Sequence, residues 1–256
     1  MSRLGRVGAE TRAAYRTFLR RRTAVFFTFF FPILLIVIFA GLIRTQPASG
    51  GIFAKPTGYY VPGYLGTVVL FTPLSRVSSE VARYRDGNRF QKLATTPLTK
   101  TEWLAAQTIV NVLLIGAASV VLLIALRLLG GGFTLSFWLV PYVVVGSTLF
   151  CWIGALIGRA TSSQDGAISM ANGIALPLLF LSDTFIPLSL FPEWFGPFTL
   201  LSPLTYFARG VRSATYEPVS GLGVLPPMGA GGYFAILLVL AIGFFIWGAI
   251  APTWRE

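Results

Sequence analysis

Arg76-Val-Ser-Ser-Glu80-Val-Ala-Arg83-Tyr84-Arg85-Asp86-Gly87-Asn88-Arg89-Phe90-Gln91-Lys92-Leu93-Ala94-Thr95-Thr96-Pro97-Leu98-Thr99-Lys100-Thr101-Glu102 is the stretch on which the fold turns. It is polar and basic, and it separates two long apolar runs. Working outward, apolar runs occupy 24–43 and 59–75 on one side and 103–126, 137–157, 166–182 and 232–252 on the other. A helix crossing a bilayer needs about 20 apolar residues. The 256-residue chain is 55% hydrophobic and 11% charged, with a mean hydropathy of +0.74. Soluble domains carry about 25% charged residues. The expected fold class is therefore an all-α membrane protein with six transmembrane helices and a single domain, 1–256. The residues left over are too few for a sizeable soluble domain.

A net charge of +11 can signal nucleic acid, but its distribution points elsewhere. Seven Arg fall within 1–23 and six Lys or Arg within 76–102. With Arg159 and Arg255 these make fifteen on one side of a six-span layout, against five on the other. Cytosolic loops are enriched in Lys and Arg, so both termini are expected in the cytosol and the chain in the cell membrane. Residues 1–23 are polar-rich and precede a full-length span, unlike a secretory signal. Cys151 is the single cysteine and forms no intrachain disulfide. The absence of histidine excludes Ser-His-Asp and Cys-His catalysis and His-ligated zinc.

Residues 1–22 project onto a helix with Leu4, Val7, Thr11, Ala14, Tyr15 and Phe18 on one face and Arg12, Arg16 and Arg20 on another. Such a helix is expected to lie in the membrane interface, apolar face in lipid and Arg toward anionic headgroups. The alternative is a solvated, topology-setting tail. Pro32 predicts a kink in the first span. Thr99-Lys-Thr-Glu102 fits a capping box that opens the third span, and Gly130-Gly-Gly132 is a turn after it. Residues 183–208 read as an outer re-entrant helical hairpin. Its apolar stretch 194–208 is fifteen residues with Pro197 and Pro203, about 22 Å as a helix and short of the ~30 Å hydrocarbon core. A seven-span layout places sixteen basic residues against four, so charge alone does not decide it. Residues 213–231, rich in Gly and Pro, read as an outer loop.

Within the opening stretch, Asp86-Gly87 is a turn signal. Asn88 to Thr95 is long enough for a short helix, which Pro97 keeps from continuing smoothly. Arg83, Arg85, Arg89 and Lys92 give it a basic surface, and Phe90 and Leu93 an apolar edge. A helix held rigidly between two spans suits transmission of motion from a docked partner; an ordinary basic loop is the competing account. Three segments then carry a resemblance: Tyr60-Val-Pro-Gly63, Glu80-Val-Ala-Arg-Tyr-Arg-Asp-Gly87 and Lys92-Leu-Ala-Thr-Thr-Pro-Leu-Thr99. So do Phe191-Pro-Glu-Trp194, Leu201-Ser-Pro-Leu-Thr-Tyr206 and Arg209-Gly-Val-Arg212. In order and spacing the chain resembles the ABC-2-type transporter permeases over nearly its whole length.

That resemblance implies an interfacial N-terminal helix, six spans, a coupling helix between spans two and three, and a hairpin between spans five and six. It also implies a complex of two permeases and two ATPase subunits. The chain itself would bind no cofactor and catalyse nothing; ATP and magnesium would sit on the partner ATPase. The coupling residues would be Arg83, Arg85, Asp86, Gly87, Arg89, Phe90, Lys92, Leu93 and Pro97. Many members carry Arg-Glu-Arg-Glu where this chain has Arg83-Tyr-Arg-Asp86, so the acidic content before Gly87 is lower and the resemblance leaves the polarity of the ATPase contact open. No P-loop is present, because none of Lys55, Lys92 or Lys100 follows a Gly. Polar residues within spans are costly and often functional: Asn111, Thr148, Ser169 and Asn172 are the candidates for the translocation path. Their plainer role is hydrogen bonding between helices. Asp183, Glu193, Trp194, Pro203 and Tyr206 mark the outer hairpin, where the charged pair would influence exit gating or simply cap helix ends in water.

The expected partners are thus an ABC ATPase subunit, a second permease copy or paralogue, and membrane lipid, with no nucleic acid. The expected substrate is hydrophobic or amphipathic: a drug, lipid-linked or glycan-type molecule. An ion-driven carrier is the main alternative, but it places ionisable residues near the midplane. The six apolar runs hold none in their interiors. A non-transporting anchor for a cytosolic protein is the third reading.

Overall fold

The computed structural model describes residues 2–38, 55–87, 89–186, 190–216 and 226–250. Its helices, in chain order, are α1 (Arg3–Arg20), α2 (Arg22–Ile36), α3 (Val61–Asp86), α4 (Arg89–Ala94), α5 (Lys100–Leu128), α6 (Leu139–Ala160), α7 (Gln164–Leu181), α8 (Pro203–Thr215) and α9 (Ala230–Ile250). Short 3₁₀ segments, Thr57–Tyr60 and Glu193–Leu201, lead into α3 and α8. No strand occurs among the described residues. The expected span 24–43 lies outside the described residues beyond 38, as does 251–252 of the last one.

α1 begins at Ser2, whose hydroxyl accepts the Gly5 N–H at 3.3 Å. It ends at a single non-helical residue, Arg21, after which α2 starts at once. The helix is amphipathic as expected, but its apolar face does not simply enter lipid. Ala14 and Phe18 are buried against Val110 and Leu114 of α5. Leu4 and Tyr15 remain exposed. An ion pair from Arg6 Nη2 to Glu102 Oε1, at 2.6 Å, fastens α1 to the start of α5. The residue pattern shows an apolar face but not which surface covers it.

α3 departs most from the reading of the sequence. The apolar run 59–75 predicts a span that ends before Arg76, yet the helix continues through Asp86. At 26 residues it is about 39 Å long. Its polar final turns stay helical because their environment is prepared. Val77 and Val81 pack with Trp103 and Trp152, while Glu80 is ion-paired to Arg21 at 3.2 Å and to Arg83. α3 is also the centre of the molecule, packed by α2, α5, α6, α7 and α8. Its closest approach is to α6. A Cβ on Gly154 would stand 2.7 Å from the Leu74 carbonyl oxygen, and one on Gly158 2.5 Å from that of Ser78. Small residues four apart let two membrane helix backbones meet in this way.

α5 carries the expected capping box: Thr99 Oγ1 accepts the Glu102 N–H at 3.2 Å, and Glu102 Oε2 accepts the Thr99 N–H at 2.9 Å. Its other end closes on Gly130 at φ +79. There Gly131 N–H donates to the Leu126 carbonyl at 2.9 Å and Gly130 N–H to that of Arg127 at 3.2 Å, the paired bonds of a Schellman cap. α5, α6 and α9 are long and apolar enough to cross a bilayer. Large apolar side chains face outward on α5 (Leu113, Val120, Ile124), α2 (Phe26, Phe27, Phe30) and α9 (Val239, Phe245, Trp247). Exposed apolar area on this scale marks a lipid or protein contact.

At the opposite end of the bundle from α4, α8 runs on to Thr215, past the expected limit of the hairpin at 208 and into the expected loop 213–231. Ser202 Oγ donates to the Leu178 carbonyl at 2.7 Å, joining this region to α7. α8 extends because Arg209 and Arg212, which look like the edge of an apolar segment, are buried to 1% and 2% exposure.

Candidate functional site

The α4 end is built around three aromatic rings. Tyr84 on α3, Phe90 on α4 and Trp103 on α5 meet pairwise, with centroids 5.3 Å (Tyr84–Phe90), 5.0 Å (Tyr84–Trp103) and 5.4 Å (Phe90–Trp103) apart. Ring pairs in this geometry each contribute about 0.5–1.5 kcal/mol beyond their burial. Leu93 joins the same cluster, so the apolar edge expected at Phe90 and Leu93 faces inward and pins α4 to two long helices. A six-residue helix would not hold its shape alone. Beside it opens a groove of about 430 Å³ lined by Phe90, Leu93, Thr96, Leu98 and Trp103 among others.

The basic residues of this region divide in two. Arg89 and Lys92 are exposed, as are their neighbours Asp86 and Pro97. Arg83 and Arg85 make bonds within the chain: Arg83 pairs with Glu80, and Arg85 Nη1 donates to the carbonyls of Arg159 and, at 3.3 Å, Thr161. Arg85 thereby satisfies carbonyls at the end of α6. Gly87 is the C-cap of α3 at φ −87, and a Cβ there would come no closer than 3.4 Å, to the Arg83 carbonyl oxygen. A side chain is tolerated at that position. Behind α4, burial, and after it the Glu80 carboxylate, raises the Glu10 carboxyl above its ordinary range.

The four path candidates do not converge. Asn111 is fully buried in α5, where its Nδ2 donates to the Gln107 carbonyl at 2.8 Å. Thr148 donates to the Val144 carbonyl of its own helix at 2.7 Å. Asn172 accepts from Ser75 Oγ at 3.1 Å, a link between α7 and α3. Ser169 is exposed. α5 and α7 are not substantial packing partners, since α3 and α6 stand between them. Ser169, Gly173, Leu176 and Phe180 instead form an exposed stripe along α7.

At the α8 end a cluster emerges that the sequence does not announce. Asp183, expected at a helix end in water, is 1% exposed. Its Oδ2 lies 3.0 Å from Arg209 Nε and 3.1 Å from Arg212 Nη1. Arg212 Nη2 also donates to the Asp183 carbonyl at 2.8 Å, and its guanidinium stacks 4.1 Å above the Tyr59 ring. Arg209 Nη1 donates to Tyr233 Oη at 3.5 Å. The cluster therefore ties α8 to the start of α3, the end of α7 and α9. The available signal is Arg209 and Arg212 three apart, hence on one helix face; nothing local names Asp183 as their partner. Of the other hairpin residues, Tyr206 donates to the Leu200 carbonyl at 3.0 Å and Pro203 opens α8. Trp194 is 68% exposed, and Glu193 begins the 3₁₀ segment.

Comparison with known proteins identifies the family. The family model for ABC-2 type transporters matches residues 6–216, from α1 through α8. The daunorubicin resistance ABC transporter permease protein DrrB1 of Streptomyces coeruleorubidus is 24% identical over 229 residues, covering 86% of this chain and 74% of that protein. On the extent of the family match, the chain belongs to the ABC-2 type transporter family.

Proposed function

We propose that this permease is the membrane subunit of an ATP-driven exporter, moved through α4 by a separate ATPase that holds the ATP and magnesium. The observation that carries the reading is the aromatic junction of Tyr84, Phe90 and Trp103. A force on α4 reaches α3 and α5 together, and α3 touches five other helices. Arg89 and Lys92, exposed on α4, supply the charged part of the docking surface. The α4 end would face the cytosol and the chain would cross the cell membrane six times with both termini inside. The exposed α7 stripe would face a second permease, so that the path runs between copies rather than through one. The substrate would be amphipathic or hydrophobic, and the relative's name makes daunorubicin the first probe.

The carrier alternative loses support from the α8 cluster. Asp183 is clasped by two buried guanidiniums at 3.0 and 3.1 Å, which is a poor arrangement for cycling an ion. The test is ATP-driven daunorubicin uptake into inside-out vesicles containing the permease and the ATPase that co-purifies with it. Phe90→Ala should lower transport about tenfold, a typical loss for an aromatic anchor, while ATP hydrolysis persists. Transport that needs an ion gradient but no ATP would reject the proposal.

A further inference from the structure

A cavity of about 160 Å³ lies where α1 meets α2, bounded by α3 and α5. Arg21, Arg76, Arg83 and Arg89 line it, with Glu10 and Glu80 as the opposing acids. Four cations against two carboxylates leave a positive excess. Glu80 is already shared by Arg21 and Arg83. Arg76 makes no ion pair among the described residues: its guanidinium lies over the Phe18 ring at 5.2 Å, and its buried Nη1 has no hydrogen-bond partner. The buried Nε of Arg83 has none either. Buried donors are almost always satisfied, and a guanidinium fork matches phosphate oxygens in particular.

We propose that this cavity binds a phosphate group, supplied by the headgroup of an anionic phospholipid. Its position favours a lipid over free phosphate. It adjoins the α1–α2 junction, and Phe26, Phe27 and Phe30 are exposed along the next turns of α2, where acyl chains can lie. α1 and α2 would then be held to α3 partly through the lipid.

The test is native mass spectrometry of the delipidated, detergent-purified full chain. It is titrated with dioleoyl phosphatidylglycerol, with dioleoyl phosphatidylcholine, and with inorganic phosphate. The expected result is one phosphatidylglycerol retained about tenfold more tightly than phosphatidylcholine, the range of a charge-assisted contact. Arg76→Gln should abolish the difference. Glu80→Gln should strengthen phosphatidylglycerol binding, because it frees Arg21 and Arg83; mere structural damage would not produce that gain. The Glu80 variant decides the matter if the Arg76 variant fails to fold. Inorganic phosphate binding as tightly as the lipid would overturn the lipid as its source. Equal retention of the two lipids, unchanged by either substitution, would overturn the site. Neither result bears on ATP-driven transport, so this inference and the proposed function fail separately.

Discussion

At the residue scale, the contrasts between Asp183 and Asp165 and between Gly158 and Gly173 show how far environment outweighs identity. Asp183 balances one of two guanidiniums that are nearly inaccessible to solvent. Removing one partner of such a group leaves a buried charge without compensation and costs about 3–5 kcal/mol. Asp183→Ala should therefore lower the thermal midpoint of the detergent-purified protein sharply, whereas Asp165→Ala in the exposed first turn of α7 should leave it nearly unchanged. Glycines divide similarly. Gly158→Ala drives a methyl into the α3 backbone, and overpacking of this kind costs about 1–3 kcal/mol. Gly173→Ala meets nothing within 4 Å in this chain and should lose no fold stability. Loss of stability in the Gly173 variant but not the Gly158 variant would contradict the packing described.

At the scale of elements, helix ends and short connections carry the arguments. Gly130 closes α5 in the left-handed region, where other L-residues pay about 1–2 kcal/mol. Gly130→Ala should cost about that much in a denaturation series. Gly87→Ala, at an ordinary φ, should cost little in stability. That second expectation separates the two glycines, although both sit beside turns in the sequence. α4 depends on its aromatic junction, so Trp103→Ala should loosen it and expose its backbone to faster hydrogen exchange than in the parent. Unaltered exchange across 89–94 would show that α4 is held by something else.

Across the whole molecule, the proposal of a cytosolic α4 end is open to direct labelling. Cys151 is fully buried, which leaves a quiet background for an introduced thiol. Lys92→Cys should react with a membrane-impermeant maleimide in inside-out vesicles and not in intact cells. Labelling from outside intact cells would reverse the orientation and remove α4 from any cytosolic motor.

The reach of the one-dimensional pattern differs from element to element. Long charge-free runs reveal the helical, lipid-dwelling class and the approximate positions of α5, α6 and α9, because desolvating a peptide backbone requires a helix whatever its neighbours are. Thr99 and Glu102 disclose a helix start, since a capping box is completed within four residues. Phe90 and Leu93 show that α4 has an apolar edge. The continuation of α3 through Arg76 and Glu80, the seating of Phe18 on α5 and the burial of Arg209 and Arg212 become visible only in three dimensions. Each rests on a partner remote in the chain: Arg21 for Glu80, Val110 and Leu114 for Phe18, Asp183 for the two arginines. A charged side chain reads as solvent-facing until its counterion is known, and packing brings that counterion to it.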